Sequence, residues 1–340
     1  MTTLHLNLGE RSYTITVGKG LLSSADKYFN LSRKVLVLTD SGVPSEYSDA
    51  IAKVSKEALI YTVPEGEGSK SLETLEKVLT AMMEFNMTRG DALVAVGGGV
   101  VGDLGGFAAS VYMRGIDFYN VPTTMLSQVD SSIGGKTAVN LKKTKNIVGA
   151  FYQPKAVLID TDTLHTLPAR HTASGLAEAV KMALTSDAEL FEIFEKCDIC
   201  DEDVMETVIT RALMIKKCVV EEDEKEKGLR KILNFGHTFG HGIEAVGVKS
   251  GPLYHGECVA LGMLPVSSDD VKARLIPVLK KIGLPTSYRG DVDAALDFAS
   301  HDKKAGAGGI DVVFVEKVGE FKIEKLTHHE FSALVKKNFK

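Results

Sequence analysis

Several things are missing from this sequence of 340 residues, and each absence narrows what the chain can be. No apolar run reaches the roughly 18 residues a membrane-spanning helix needs. The first stretch, MTTLHLNLGERSYTITV, alternates polar and apolar residues like a pair of strands; it lacks the basic-then-apolar order of a secretion signal. The expectation is a protein of the cytoplasm with no membrane partner. Basic excess is also missing, because 40 Lys and Arg stand against 45 Asp and Glu for a net charge of −5, so nucleic acid is not expected as a partner. Cysteine is scarce. Cys197, Cys200, Cys218 and Cys258 are too few for a disulfide framework and fit a reducing compartment. Cys197 and Cys200 have the spacing of half a zinc knuckle or a redox pair. With no second pair and no strand before them, they are read as two small apolar residues at a helix end. No internal repeat is visible.

What is present is an ordinary globular composition, 44% hydrophobic and 25% charged, long enough for about two domains. Leu4, Leu6 and Leu8, then Tyr13, Ile15 and Val17, alternate around Gly9-Glu10 and predict an opening hairpin. VLVLTD (35–40), ALVAVGGG (92–99) and AVLID (156–160) are short continuous apolar runs, as strands buried on both faces should be. Between the first two, SLETLEKVLTAMMEFNM repeats apolar residues every three or four positions and predicts a helix, giving the strand-helix-strand order of a parallel α/β layer. After TLPAR (166–170) the pattern turns mostly helical. The fold expected is therefore α/β, with a Rossmann-like dinucleotide-binding domain over 1–170 and a mainly α-helical domain over 171–340. A late hairpin is predicted around Val318-Gly319-Glu320. The charge run EEDEKEK (221–227) is read as a solvated helix end or loop.

Three constellations could carry chemistry. In AVGGGVVGDLGGFAAS (95–110) a strand runs into glycines and a helix, where backbone amides can approach a pyrophosphate. Its spacing is not the G-x-G-x-x-G fingerprint, so a tight turn alone remains an alternative. Asp40, closing VLVLTD, is placed to take ribose hydroxyls or merely to cap a turn. Second, NFGHTFGHGIE (234–244) sets His237 and His241 on one helix face at metal-ligand spacing, among glycines that each weaken a helix by roughly 1 kcal/mol. Either paired rings or a close backbone approach must need them. Without a Glu between the histidines a zinc protease is disfavoured. His255 and Glu178 offer further ligands, and three N/O ligands with an open position describe a catalytic zinc site. Third, Arg114, Lys136, Lys145, Lys181, Lys216, Arg230, Lys303 and Lys304 gather around these motifs and call for an anionic substrate.

The motifs PEGEGSK, GGGVVGDLGGFAAS, YMRGIDF, VPTTMLSQVDSSIGGKTAVN, KNIVGAFYQP, TLHTLPAR, GLAEAVK, GLRKILNFGHTFGHGIE and HGECVALGM run in unbroken order from about residue 64 to 304. In them the chain resembles the sugar phosphate cyclases, specifically the 3-dehydroquinate synthase family. The resemblance implies an NAD-binding α/β domain, a helical metal domain and a homodimer. It implies conversion of 3-deoxy-D-arabino-heptulosonate 7-phosphate to 3-dehydroquinate with loss of phosphate. The implied steps are transient oxidation by NAD, phosphate elimination, re-reduction, ring opening and aldol closure, with no net use of NAD.

By the same resemblance Glu178, His237 and His255 are the ligands of zinc, with cobalt as an alternative. His241 shifts from metal ligand to phosphate contact, with glycines around it letting substrate approach. Lys136, Asn146 and Asn234 are expected around the same ligand, and Arg230 and Lys216 at its carboxylate and hydroxyl end. Lys181 and Asp130 are expected on hydroxyls. Arg114 is expected from the partner subunit, and Lys303 or Lys304 over the phosphate. For NAD the implied residues are Asp40, Glu67, Lys70, Gly98, Gly99, Asp103, Thr123, Thr124, Lys145 and Thr166. The chain departs from the family pattern at Thr144, where Gly is usual, at HTAS (171–174), and at Gly242, where Ala is usual. Three other readings compete: a metal-dependent polyol dehydrogenase, a cyclase for another sugar phosphate, and a catalytically inactive binding module.

Overall fold

The structure, a computed structural model, describes residues 1–142, 144–248, 251–301 and 309–339. The chain divides into two compact units, Met1–Pro168 and Ala169–Lys340.

The first unit is built on a seven-stranded sheet. Its strands are β1 (Thr2–Leu6), β2 (Tyr13–Gly18), β3 (Lys34–Asp40), β4 (Glu57–Val63), β5 (Ala92–Gly97) and β6 (Asp117–Pro122), with β9 (Ala156–Asp160) between β2 and β6. A separate hairpin consists of β7 (Lys136–Leu141) and β8 (Thr144–Phe151). The sheet order is β1-β2-β9-β6-β5-β3-β4. Only the expected opening hairpin β1–β2 is antiparallel; the other pairings are parallel.

The apolar run in β3 follows from cover on both faces. Val35 and Val37 pack with Ile51 of α1 (Ser45–Val54), whereas Leu36 and Leu38 pack with Val78 of α2 (Leu72–Glu84) and Leu104 of α3 (Gly99–Val111). After the edge strand β4, the chain returns to the opposite side of β3 as β5. That reversal is a topological switch point, and in open α/β sheets the crevice beyond the strand carboxyl ends at such a point is where ligands bind.

In the second unit α4 (Ala169–Ser186) starts directly after Pro168, whose fixed φ suits a helix entry. Residues 173–185 of α4 are all buried. Around it lie α5 (Ala188–Lys196), α6 (Glu202–Glu222), α7 (His237–Val246) and α8 (His255–Met263). The unit is completed by α9 (Asp269–Lys281), α10 (Val292–His301), the late hairpin β10 (Ile310–Lys317) and β11 (Glu320–Leu326), and α11 (His328–Asn338). Phe339, just past α11, packs 5.5 Å from Phe239 on α7, and Tyr288 joins both rings.

Candidate active site

In the first unit the glycine-rich motif behaves as a strand-turn-helix: Gly97 ends β5, Gly98 caps α3 and Gly99 opens it. Asp40 closes β3, the neighbouring strand across the switch point, and accepts from the Gly42 amide at 2.9 Å. Burial raises the Asp40 pKa above the ordinary carboxylate value, despite the Gly42 hydrogen bond. Thr123 is buried just past β6 and its amide bonds the Gly97 carbonyl. Thr124 Oγ1 bonds Ser127 Oγ at 3.0 Å, at the head of a π-helical turn, Ser127–Ser131, that carries Asp130. Thr166 ends a 3-10 turn, its hydroxyl 2.9 Å from the Tyr47 hydroxyl.

A second group assembles where the β7–β8 hairpin meets α3. Lys70 is 5% exposed and pairs with Asp103 at 2.5 Å and with the Asn146 amide oxygen. Asn140, which sequence reasoning missed, joins this group: its amide donates to Glu67 at 2.8 Å, and its oxygen accepts from the Asn146 amide at 2.8 Å. Asn146 sits at φ 54°, a conformation asparagine tolerates better than most residues. Lys136 and Lys145 are exposed on the same hairpin. Arg114 is exposed on a turn where Met113, Arg114 and Gly115 all have positive φ (48°, 69° and 118°).

The second unit gathers the predicted metal ligands from three elements: Glu178 on α4, His237 at the start of α7 and His255 at the start of α8. Glu178 Oε1 lies 3.5 Å from His237 Nε2 and 3.4 Å from His255 Nε2. Its other oxygen is taken by Lys181, one turn on and equally buried. The carboxylate is thus split, one oxygen fixed by an ammonium and one aimed between two imidazoles. Both rings show Nε2 to the same point. Phe235 O accepts from His237 Nδ1 at 3.1 Å, and a Glu244 carboxylate oxygen accepts from His255 Nδ1 at 2.9 Å.

Electrostatics match the geometry. Burial takes His237 down to about 3, more than the Glu178 charge can offset. Burial also acts to lower His255, but hydrogen bonds and charges from Glu178 and Glu244 outweigh it and carry the ring up to about 10. For Glu178 burial works upward, yet Lys181 and the two histidines hold its carboxyl well below the usual range. Two carboxylates flank the His255 ring, a place where positive charge is favoured.

The donor set fits a divalent cation such as zinc. Bonds of about 2.0–2.2 Å set the ligand atoms of a tetrahedron roughly 3.3–3.6 Å apart, the spacing found between Glu178 Oε1 and each imidazole. His241 stands outside this triad, its ring 5.4 Å from that of His237 and edge-on to it. It lines a cavity of about 390 Å³ together with Asn234, Lys231, Glu226, His237 and Asp311.

The glycines of NFGHTFGHGIE serve packing, one of the two uses the sequence leaves open for them. Gly236 is left-handed (φ 77°), and a Cβ on it would stand 2.7 Å from the Val259 carbonyl oxygen on α8. A Cβ on Gly242 would stand 2.1 Å from the Ala295 carbonyl oxygen on α10. Close backbone approach is therefore what the glycines allow, and it sets the two histidine-bearing helices side by side.

The charge run 221–227 is likewise more than a solvated loop. Asp223 accepts from the amides of Lys227, Gly228 and Arg230, and the Glu224 carbonyl accepts from Arg230 Nη1. Glu226 receives the Asn234 amide at 3.0 Å and enters the cavity lining. Arg230 and, on α6, Lys216 are both buried, 2% and 5% exposed, against the usual habit of such side chains. Lys303 and Lys304 lie outside the described residues.

Fold and site together define a class: an α/β unit of the nucleotide-binding type followed by a helical unit with a Glu-His-His cation site. Sequence profiles described as 3-dehydroquinate synthase N-terminal and C-terminal match residues 60–174 and 175–305. The 3-dehydroquinate synthase of Streptococcus sanguinis (strain SK36) is 41% identical over 355 residues, spanning 98% of this chain and 99% of that protein. Among solved structures, 2-deoxy-scyllo-inosose synthase complexed with carbaglucose-6-phosphate, NAD+ and Co2+ superposes with a TM-score of 0.89 at 27% identity, over 99% and 100% of the two chains. The 2-epi-5-epi-valiolone synthase of Streptomyces hygroscopicus subsp. jinggangensis, with NAD+ and Zn2+ bound, gives 0.84 at 28%, over 97% and 98%. The chain belongs to the 3-dehydroquinate synthase family.

Proposed function

We propose that the protein is a 3-dehydroquinate synthase, converting 3-deoxy-D-arabino-heptulosonate 7-phosphate into 3-dehydroquinate and phosphate with NAD and a zinc or cobalt ion. The observation that carries this is the Glu178, His237 and His255 triad, whose His237 also lines a cavity with polar donors, in a chain 41% identical to a 3-dehydroquinate synthase. When bound, the cation supplies a Lewis acid and NAD a reversible hydride acceptor.

The chain's own residues do the rest. Glu178, His237 and His255 hold the cation, Lys181 keeps the Glu178 carboxylate turned toward it, and Lys181 is also assigned to a substrate hydroxyl. His241 and Asn234 are assigned to the substrate phosphate; both line the cavity, one helical turn and three residues from His237 respectively. An imidazole N–H and an amide N–H can each donate to a phosphate oxygen and steady it as it leaves. The phosphate can itself accept the proton removed in the elimination, so no further base is required there. Arg230 and Lys216 are buried cations, which suits them to a carboxylate and its neighbouring hydroxyl. Asp130, Lys136 and Asn146 are also assigned to substrate, and Lys303 or Lys304 to the phosphate.

Asp40, Gly98, Gly99, Thr123 and Thr124 are assigned to NAD. Their position at the carboxyl ends of β3, β5 and β6, beside the switch point, supports this. Glu67, Lys70, Asp103, Lys145 and Thr166 complete the assignment.

A homodimer with Arg114 supplied across the interface is supported by exposed Val111 and Met113 beside it and by Leu141, Ile147 and Phe151 on the β7–β8 hairpin, an apolar surface that water disfavours. A cytoplasmic location accords with four free cysteines and with the lack, among the described residues, of a helix long and apolar enough to cross a membrane.

A second reading, a cyclase for a sugar phosphate without a carboxylate, draws on the likeness to 2-deoxy-scyllo-inosose synthase. Arg230 and Lys216, assigned to a carboxylate, weigh against it. The deciding experiment offers the protein the heptulosonate phosphate, glucose 6-phosphate or glycerol, each with NAD+. Phosphate release with 3-dehydroquinate formed and no NADH accumulating is expected from the first alone. Sustained NADH production from glycerol would instead make it a polyol dehydrogenase.

A further inference from the structure

We infer that Glu244 is a positioning residue of the cation site, holding the His255 proton on Nδ1 and so leaving Nε2 as the ligand atom. With a cation bound, the imidazole is neutral, Nε2 would give its lone pair to the ion, and the one N–H is left on Nδ1, where an acceptor holds it. Glu244 Oε2 is such an acceptor, 2.9 Å from His255 Nδ1, while His255 Nε2 faces Glu178 Oε1.

The arrangement ties two helices together. α7 carries His237 and, two turns on, Glu244, so one helix supplies both a ligand and the group that orients the ligand on its neighbour. α8 begins at His255, so the ring has no preceding helical turn to pack against and depends on a partner outside its own helix. The matching task for His237 falls to the Phe235 carbonyl, which no side-chain substitution removes. Glu244 is thus the side chain through which a histidine's tautomer can be changed without touching a ligand. Nothing in the sequence distinguishes it from a solvated glutamate on a helix surface.

This inference rests on the proposed cation site, and the test separates the two. Zn2+ affinity of the full chain is measured by competition with a chromophoric chelator, and the visible absorption band of the Co2+-loaded protein is recorded alongside. Glu244→Ala is expected to weaken Zn2+ binding about 10- to 100-fold and to alter the cobalt band. Glu244→Gln, whose amide oxygen still accepts from Nδ1–H, should recover most of the affinity and the wild-type band. Wild-type affinity and band in Glu244→Ala, or a Glu244→Gln variant as weak as His255→Ala, would overturn the role. Should Glu244→Ala not fold, Glu244→Gln decides by the same comparison with His255→Ala. Undiminished Zn2+ binding in His237→Ala would overturn the cation site itself, whereas loss there with none in Glu244→Ala overturns only the part given to Glu244.

Discussion

Gly262 on α8 lies so close to Gly236 that a Cβ on it would stand 1.9 Å from the Gly236 carbonyl oxygen. Such a contact is possible only between glycines, and it places the residue just before His237 against the helix that begins with His255. Gly262→Ala must push α8 away from α7, and overpacking of this kind costs roughly 1–3 kcal/mol. Thermal unfolding is expected to move down by several degrees, with weaker Zn2+ binding because the two imidazoles part. An unchanged melting curve and an unchanged affinity would contradict the close contact.

Glu178 and Lys181 form a buried ion pair, 0% and 1% exposed, and the proposed cation would share the same carboxylate. Removing one partner of a buried pair leaves the other uncompensated, at a cost of roughly 3–5 kcal/mol. Lys181→Met should therefore destabilise the metal-free protein, and added Zn2+ should restore more of its melting temperature than it adds to the wild type. Glu178→Gln should be destabilised with no recovery on adding Zn2+. Equal responses to Zn2+ in the two variants would go against the assignment of Glu178 as a ligand.

Acid stability turns in part on Asp187, which caps α5 through the Leu190 amide and takes two hydrogen bonds from Arg211. Burial works to raise its pKa, but the Arg211 guanidinium and the backbone amides lower it on balance. A carboxylate with a depressed folded-state value stabilises fully above its unfolded value of about 3.9, and that contribution is lost as pH falls through the folded value. Asp187→Asn keeps the cap acceptor and loses the charge. Its melting temperature should lie below wild type at pH 7, with the gap closing below about pH 4. A gap of constant size across that range would show that the charge plays no part.

Subunit sharing of Arg114 can be tested by mixing two inactive variants. If the arginine serves the partner's site, Arg114→Ala and His237→Ala chains that exchange freely should recover activity, because each mixed dimer holds one complete site. Random pairing of equal amounts gives about one quarter of wild-type activity. No recovery from mixtures shown by sedimentation to contain dimers would place Arg114 in its own subunit's site.

Much of this architecture is legible in the sequence where burial is two-sided or where function fixes spacing. β3, β5 and β9 are plain because both faces are covered, leaving unbroken apolar runs. β4 is not, because it is an edge strand and its half-buried residues blur the pattern. β6 is obscured by Asn120 and a terminal Pro122, the asparagine being buried and bonded to the Ser132 carbonyl. In α7 the histidine pair announces a site, but the purpose of the glycines depends on α8 and α10, whose approach no local pattern records. The same holds for Asn140, Glu226 and Glu244: each acts through a partner distant in the chain or across a turn, and each reads locally as an ordinary polar residue.

The cation is the point on which the proposed chemistry turns, and phosphate release from 3-deoxy-D-arabino-heptulosonate 7-phosphate measures its role most directly. With NAD+ present, release should stop when a strong chelator removes the ion, return on adding Zn2+ or Co2+, and proceed without net NADH. Release that continues at the same rate in excess chelator would contradict the role given to Glu178, His237 and His255.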